Sequence, residues 1–245
     1  MHSLLSAPLF GPKHLVGLGY VIVIVLIGLF AFGSKADKRK ILILTLLFYL
    51  FEIIKIGYYL VESGTYPMNH LPLHLCSLPL YVYPILYFSK KGSKLEEMAM
   101  ASAFITIIAG GIVALLIPTN IIGGNEQWLP FTGNFLPFIS FTYHGLMIMA
   151  PIYLISSKTY VPKFKDALYA MMFTLGLMIL ALIFNAILDK DYMLLNYGNG
   201  SPFQFLLDYG QLVYTTTMIM LGLVVISLVS LITTSIYKVV QGSFK

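Results

Sequence analysis

Seven runs of about twenty mostly apolar residues, joined by short connections, dominate this chain. They cover approximately residues 14–33, 41–60, 70–88, 96–117, 135–156, 167–188 and 212–236. A helix needs roughly 20 apolar residues to cross a bilayer, so each run is long enough for one crossing. The connections leave no room for a soluble domain. Only 10% of the residues are charged, against about 25% in a water-soluble protein, too few to cover a surface facing water. The expected fold is therefore all-α: a single integral membrane domain over residues 1–245 with seven transmembrane helices.

Basic residues give the expected orientation. Lys35, Lys38, Arg39 and Lys40 follow the first run; Lys90, Lys91 and Lys94 follow the third; Lys158, Lys163 and Lys165 follow the fifth; Lys238 and Lys245 follow the last. Twelve of the fifteen basic residues thus lie on alternate connections, which places those on the cytoplasmic side. With seven crossings the N-terminus lies outside and the C-terminus in the cytoplasm. A signal peptide carries its positive charge before the apolar stretch; here the strong cluster follows it, so the first run reads as an uncleaved helix. The formal charge of +5 is a topology signal on short loops, not a nucleic-acid footprint.

This topology gives a depth to each polar residue inside a run. Glu52 and Lys55 fall in the outer half of the second span, His70, His74 and Cys76 in the outer half of the third, and His144 near the outer end of the fifth. Asn185 and Asp189 lie in the last turns of the sixth, with Asp191 and Tyr192 just beyond. A charged residue near a span centre costs about 2.5–3.5 kcal/mol on insertion scales, so such groups face partners or a wet cavity. Their convergence on one leaflet predicts a shared polar pocket. Blander readings exist for several. Glu52 and Lys55, three apart, can neutralise each other, or Lys55 can snorkel. A buried lone cysteine is most often a small hydrophobe. His144, between Tyr143 and Gly145, fits an aromatic belt. Gly110 and Gly111 fit close helix packing.

The densest concentration is His70-Leu71-Pro72-Leu73-His74-Leu75-Cys76-Ser77-Leu78-Pro79, which holds the only cysteine. One cysteine excludes an internal disulfide and a cysteine-built metal cluster. Three chemistries fit the set. In the first, Cys76 is a nucleophile; a thiolate is the reactive form and needs a base. On a regular helix His74 points about 200° away from Cys76, which favours His144 as that base. Pro72 and Pro79 distort the backbone enough to reverse the choice. Asn185 or Tyr192 would donate to an oxyanion. In the second, His70 and His74, four apart, share a helix face and bind zinc with a further ligand; no HExxH pattern is present, and no metal or other cofactor is expected. In the third, the broken, charged spans form a transporter site, although seven spans without a repeat is not a usual transporter plan.

The stretch from His70 to Leu78 resembles the LPLHLC signature of the bacterial YwaF-like integral membrane proteins, which are related to the eukaryotic transmembrane protein 164. Gly110-Gly111 with Pro118 downstream, His144-Gly145, Asp191-Tyr192-Met193-Leu194-Leu195, Pro202 and Leu207-Asp208 extend the resemblance over nearly the whole chain. Where the family often has an asparagine before the tyrosine, this chain has Asp191. The resemblance implies a cysteine-dependent acyltransferase of the bacterial plasma membrane acting on phospholipids and lysolipids, with Cys76 as the acyl-accepting nucleophile and His74 or His144 as base. A more distant similarity, to the androgen-induced-type membrane hydrolases with their Thr/His pair, implies the same first step with water as final acceptor. A lipid-ester hydrolase and a non-enzymatic transporter or lipid-binding protein are the alternative expectations.

Overall fold

A computed structural model describes residues 10–116, 135–198 and 201–243. Within them every regular element is helical: α1 Pro12–Phe32, α2 Lys38–Ser63, α3 Pro79–Phe88, α4 Lys94–Leu116, α5 Leu136–Ser156, α6 Asp166–Leu188 and α7 Gln211–Ser243. Six of these are long and apolar enough to cross a membrane. The chain is therefore a polytopic all-α membrane protein. Pro118 and Lys245 lie outside the described residues.

The third run departs from expectation. Only its last part, the ten residues of α3, is α-helix; before it come two single 3₁₀ turns, Met68–His70 and Leu75–Ser77. At 1.5 Å per residue α3 spans about 15 Å, half of a ~30 Å hydrocarbon core. Proline is the reason. Pro72 lacks an amide hydrogen and pushes Leu71 out of helical geometry, to φ −52°, ψ 148°. Pro79 takes the first position of α3, where a missing N–H is harmless.

The chain divides into two compact units, residues 1–64 with 107–160, and residues 65–106 with 161–245. In the first unit α1 and α5 run parallel: Gly17 meets Phe141, Ile24 meets Gly145, and Gly28 meets Met149. A Cβ on Gly17 would stand 2.2 Å from the Phe141 ring, so the two helices touch only because that residue is glycine. The contact surrounds a small core of Val21, Leu115 and Phe141. His14, fully buried, ties the start of α1 to the end of α4: its Nε2–H donates to Leu115 O (2.7 Å) and its Nδ1 accepts the Phe10 N–H (2.9 Å). Phe48 of α2 packs edge-on against Tyr143 of α5.

In the second unit α4 and α6 run parallel and α7 runs against α6. Glu97 pairs with Lys165 at 3.7 Å, and the hydroxyls of Thr106 and Thr174 lie 3.4 Å apart. Both pairs have the same offset of 68 residues, which fixes the register of the two helices. Gly222 of α7 lies against Met178 of α6. At its far end α7 holds Lys238 over the Phe164 ring, 4.0 Å from the centroid.

Candidate functional site

A proline-broken backbone leaves carbonyls without helical partners, and in a membrane each must find another donor. The segment before α3 satisfies them with side chains. Met68 O accepts from the Tyr192 hydroxyl, Asn69 O from His74 Nε2–H (2.9 Å), His70 O from the Tyr66 hydroxyl, and Pro72 O from the Tyr81 hydroxyl (2.7 Å). Three tyrosines and one histidine thus replace the missing helix bonds of a five-residue stretch. Cys76 follows directly, half-buried in the turn Leu75–Ser77, whose Ser77 N–H donates to His74 O (2.9 Å).

His74 does not sit on a helix. It is extended, at φ −92°, ψ 162°, immediately before the cysteine turn. The helix-phase argument that set His74 and Cys76 on opposite sides does not apply to it, because Pro72 has already ended helical geometry. For the same reason His70, which closes the first 3₁₀ turn, and His74 do not share a helix face. Among the described residues no three His, Cys, Asp or Glu side chains are placed to hold a metal ion. Both nitrogens of His74 are engaged by backbone: Nε2–H by Asn69 O, and Nδ1 by the Met193 N–H at 3.4 Å. That pattern is the neutral Nε2–H tautomer. The ring also meets Tyr192 edge-on, with centroids 5.4 Å apart.

Tyr192 is the hub, fully buried just beyond α6. Its peptide groups are held by one side chain: Asn185 Oδ1 accepts the Tyr192 N–H (2.7 Å), and Asn185 Nδ2–H donates to Tyr192 O (3.1 Å). The amide of Asn185 acts as a surrogate strand partner. Burial raises the Tyr192 phenol pKa above the ordinary tyrosine value, so the hydroxyl stays protonated and donates to Met68 O. The single phenolic hydrogen is committed to a main-chain carbonyl, so in this arrangement Tyr192 positions the cysteine segment and has no hydrogen left for an oxyanion. Asn185 has spent one of its two N–H groups in the same way.

The loop after α6 is strained and heavily tied. Asp189 caps the helix in left-handed geometry (φ 52°), and its N–H donates to Asn185 O. Met193 and Leu194 also have positive φ, 58° and 56°. Each such non-glycine residue costs about 1–2 kcal/mol, and such strain persists only where the surroundings over-determine it. Here Tyr214 donates to Leu194 O (2.7 Å), Thr215 to Leu195 O (2.9 Å) and Gln211 to Asn196 O (2.9 Å). Asp191 Oδ1 accepts the N–H groups of Asn196 (2.8 Å) and Tyr197 (3.0 Å), and Asp189 accepts from the Tyr197 hydroxyl. The two aspartates are loop braces.

Cys76, His70, His74, Asn185, Asp189, Asp191 and Tyr192 therefore all belong to the second unit. Glu52, Lys55 and His144 belong to the first. There Lys55 Nζ and Glu52 Oε2 form an ion pair at 2.8 Å, with side chains 23% and 12% exposed. His144 is 7% exposed; its Nδ1–H donates to Ser140 O (2.7 Å), and its Nε2 has no hydrogen-bond partner among the described residues.

A family model described as the TMEM164 family matches residues 9–232. The chain belongs to the TMEM164 family. No curated protein and no solved structure matches it. The match takes in both units, and with them the Leu71–Cys76 motif, the His144-Gly145 pair and the Asp191–Leu195 loop. Four supports of the motif escaped the sequence reading: Tyr66, Tyr81, Tyr214 and Thr215. Tyr66 and Tyr81 carried a usable signal, because hydroxyl-bearing aromatics flank two prolines inside an apolar run. Tyr214 and Thr215 carried none, since their partners lie 20 residues away across a loop.

Proposed function

We propose that this TMEM164-family chain is a membrane-embedded acyltransferase that moves a fatty acyl chain between lipids through a thioester on Cys76. The observation that carries the proposal is the setting of the only cysteine. It sits half-buried at a break in a span, inside the family motif, and that break is held in part by Tyr192, 124 residues away along the chain. A bilayer penalises such a construction, and packing alone gives no reason to keep it.

The chemistry has two steps. The Cys76 sulfur attacks the carbonyl carbon of a lipid ester while a base takes the thiol proton. The carbon–oxygen ester bond breaks, and the proton passes to the leaving alkoxide, releasing a lysolipid. An acceptor hydroxyl then attacks the thioester carbonyl, the carbon–sulfur bond breaks, and the acceptor's proton returns the sulfur to a thiol. Of the two histidines that the resemblance implies as base, His144 has, within its own unit, a fixed Nδ1–H and a bare Nε2 lone pair. His74 has both nitrogens bound to main chain, which suits a positioning role.

Following an acyl-labelled phospholipid tests this division. His144→Asn keeps a donor near Ser140 O and removes the lone pair; it is expected to cut transfer at least 10²-fold, the usual scale of general-base catalysis, with no change in unfolding midpoint. His74→Gln is expected to lower the midpoint. Label recovered on an added lysolipid supports transfer, and label recovered only as free fatty acid replaces it with hydrolysis. Equal loss of transfer without loss of stability in both variants would overturn the assignment of roles.

The distribution of basic residues further supports a site in the outer half of the membrane, with Lys38–Lys40 and Lys90–Lys94 inside; the bacterial plasma membrane is what the resemblance implies. In a Cys76→Ala background, a polar maleimide added to intact cells is expected to label Lys190→Cys and to spare Lys91→Cys. The reverse pattern inverts the topology.

A further inference from the structure

Several helical hydroxyls among the described residues satisfy themselves in one way, by donating to the carbonyl four residues earlier. Thr45, Thr142, Thr174, Ser227 and Thr233 all do so, at 2.6–2.9 Å. Ser102, Ser230 and Thr234 do not. They are 0%, 1% and 0% exposed, and their hydroxyl oxygens have no hydrogen-bond partner among the described residues. All three belong to the second unit.

Helix register brings them to one level. The offset of 68 between α4 and α6, seen at Glu97/Lys165 and again at Thr106/Thr174, sets Ser102 level with Ala170. Helices α6 and α7 are antiparallel with Met178 against Gly222. Eight residues further along each, about 12 Å at 1.5 Å per residue, Ala170 is level with Ser230. Thr234 follows one turn later, level with Asp166. Ala170, at the same height as both serines, is fully buried and its side chain is a single methyl group. Thr106 and Thr174 form the next layer.

We propose that Ser102, Ser230 and Thr234 line a buried water site in the second unit, at the Lys94/Asp166 end of its helices. Three buried hydroxyls that do not donate to the carbonyl four residues earlier keep their hydrogen-bonding capacity for another partner. A buried water characteristically makes about three hydrogen bonds to otherwise unsatisfied polar groups, and cavities that remain dry are apolar. The chemistry selects water over an ion. A hard cation takes six or more oxygen ligands, carboxylates and free carbonyls among them, whereas the carbonyls of α4, α6 and α7 are spent within regular helices. Full burial of all three residues excludes a lipid group. The site lies at the opposite end of α6 from Asn185 and is independent of the thioester chemistry.

Water-to-amide cross-relaxation, measured by NMR on the intact protein in micelles, tests the proposal. Transfer from water to the amides of Ser102 and Ser230 is expected, with none to Ala99, which is equally buried. Its absence overturns the site. The variants Ser102→Ala, Ser230→Ala and Thr234→Val give the second readout. A shared water predicts that each lowers the unfolding midpoint and that the triple variant loses less than the sum. A dry pocket predicts the opposite sign, because each substitution then removes an unpaired buried hydroxyl. Midpoints that rise, stay level or add independently overturn the proposal.

Discussion

Incubated with phospholipid vesicles and no lysolipid, the purified protein is expected to gain the mass of one fatty acyl group on Cys76, and neutral hydroxylamine is expected to remove it. Omitting the acceptor blocks the second step, so the thioester accumulates. Hydroxylamine at neutral pH cleaves a thioester and leaves ordinary oxygen esters, which distinguishes the adduct from lipid that merely co-purifies. Cys76→Ala should show no adduct and no transfer. Removing the nucleophile of a well-studied covalent hydrolase costs on the order of 10⁶ in kcat, so any residual transfer here should fall below the detection limit of a lipid assay. The substitution deletes one atom from a half-buried turn residue, and the unfolding midpoint should barely move. That control separates lost chemistry from lost fold. An unmodified cysteine after rapid quenching, or full transfer by Cys76→Ala, would sink the acyl-enzyme mechanism.

What could be read in advance followed the range of the forces involved. Apolar runs report burial in lipid residue by residue, so six of the seven expected spans match helices to within a few residues, apart from the long tail of α7. The third run failed as a continuous helix because its hydropathy is blind to hydrogen bonding. Pro72 and Pro79 announced a break, yet nothing local told how far it reached. Its length depends on donors elsewhere: Tyr66 and Tyr81 nearby, but Tyr192 from 124 residues on. The same limit applies to Tyr192. A phenol beside a polar cluster looks like a free donor until its carbonyl partner is seen. Asn185 was flagged as costly inside a span, and that was sound physics. Its partner, the backbone of Tyr192, becomes visible only when Asp189 has turned the chain back in left-handed geometry. The pairing of Glu52 with Lys55 was legible outright, because a spacing of three on one helix is a local fact.

The second large effect is expected at a residue that performs no chemistry. Asn185→Leu keeps the number and branching of the side-chain heavy atoms and removes both hydrogen bonds to the Tyr192 peptide groups. Asn185 is 3% exposed and Tyr192 is fully buried, so neither the stranded N–H nor the stranded carbonyl reaches water. Each unsatisfied buried group costs about 1–3 kcal/mol, giving about 2–6 kcal/mol in total. A typical domain has only about 5–15 kcal/mol of stability to lose. Asn185→Asp retains an acceptor for the Tyr192 N–H and loses the donor, so its midpoint should fall between those of the wild type and the leucine variant. Tyr192→Phe should cost least, near 1 kcal/mol, because Met68 O still accepts the Leu71 N–H at 3.2 Å. The consequence for function follows from the chain of contacts. Once Tyr192 is released, His74 loses its aromatic neighbour and Met68 O loses one of its two donors, and the segment that fixes Cys76 relaxes. The leucine variant should therefore react faster with a small maleimide at Cys76 while accumulating less acyl adduct. A merely destabilised but correctly built site would lose both in proportion at a given folded fraction. Wild-type stability in Asn185→Leu would show that the peptide groups of Tyr192 find other partners, and the positioning role would then fail.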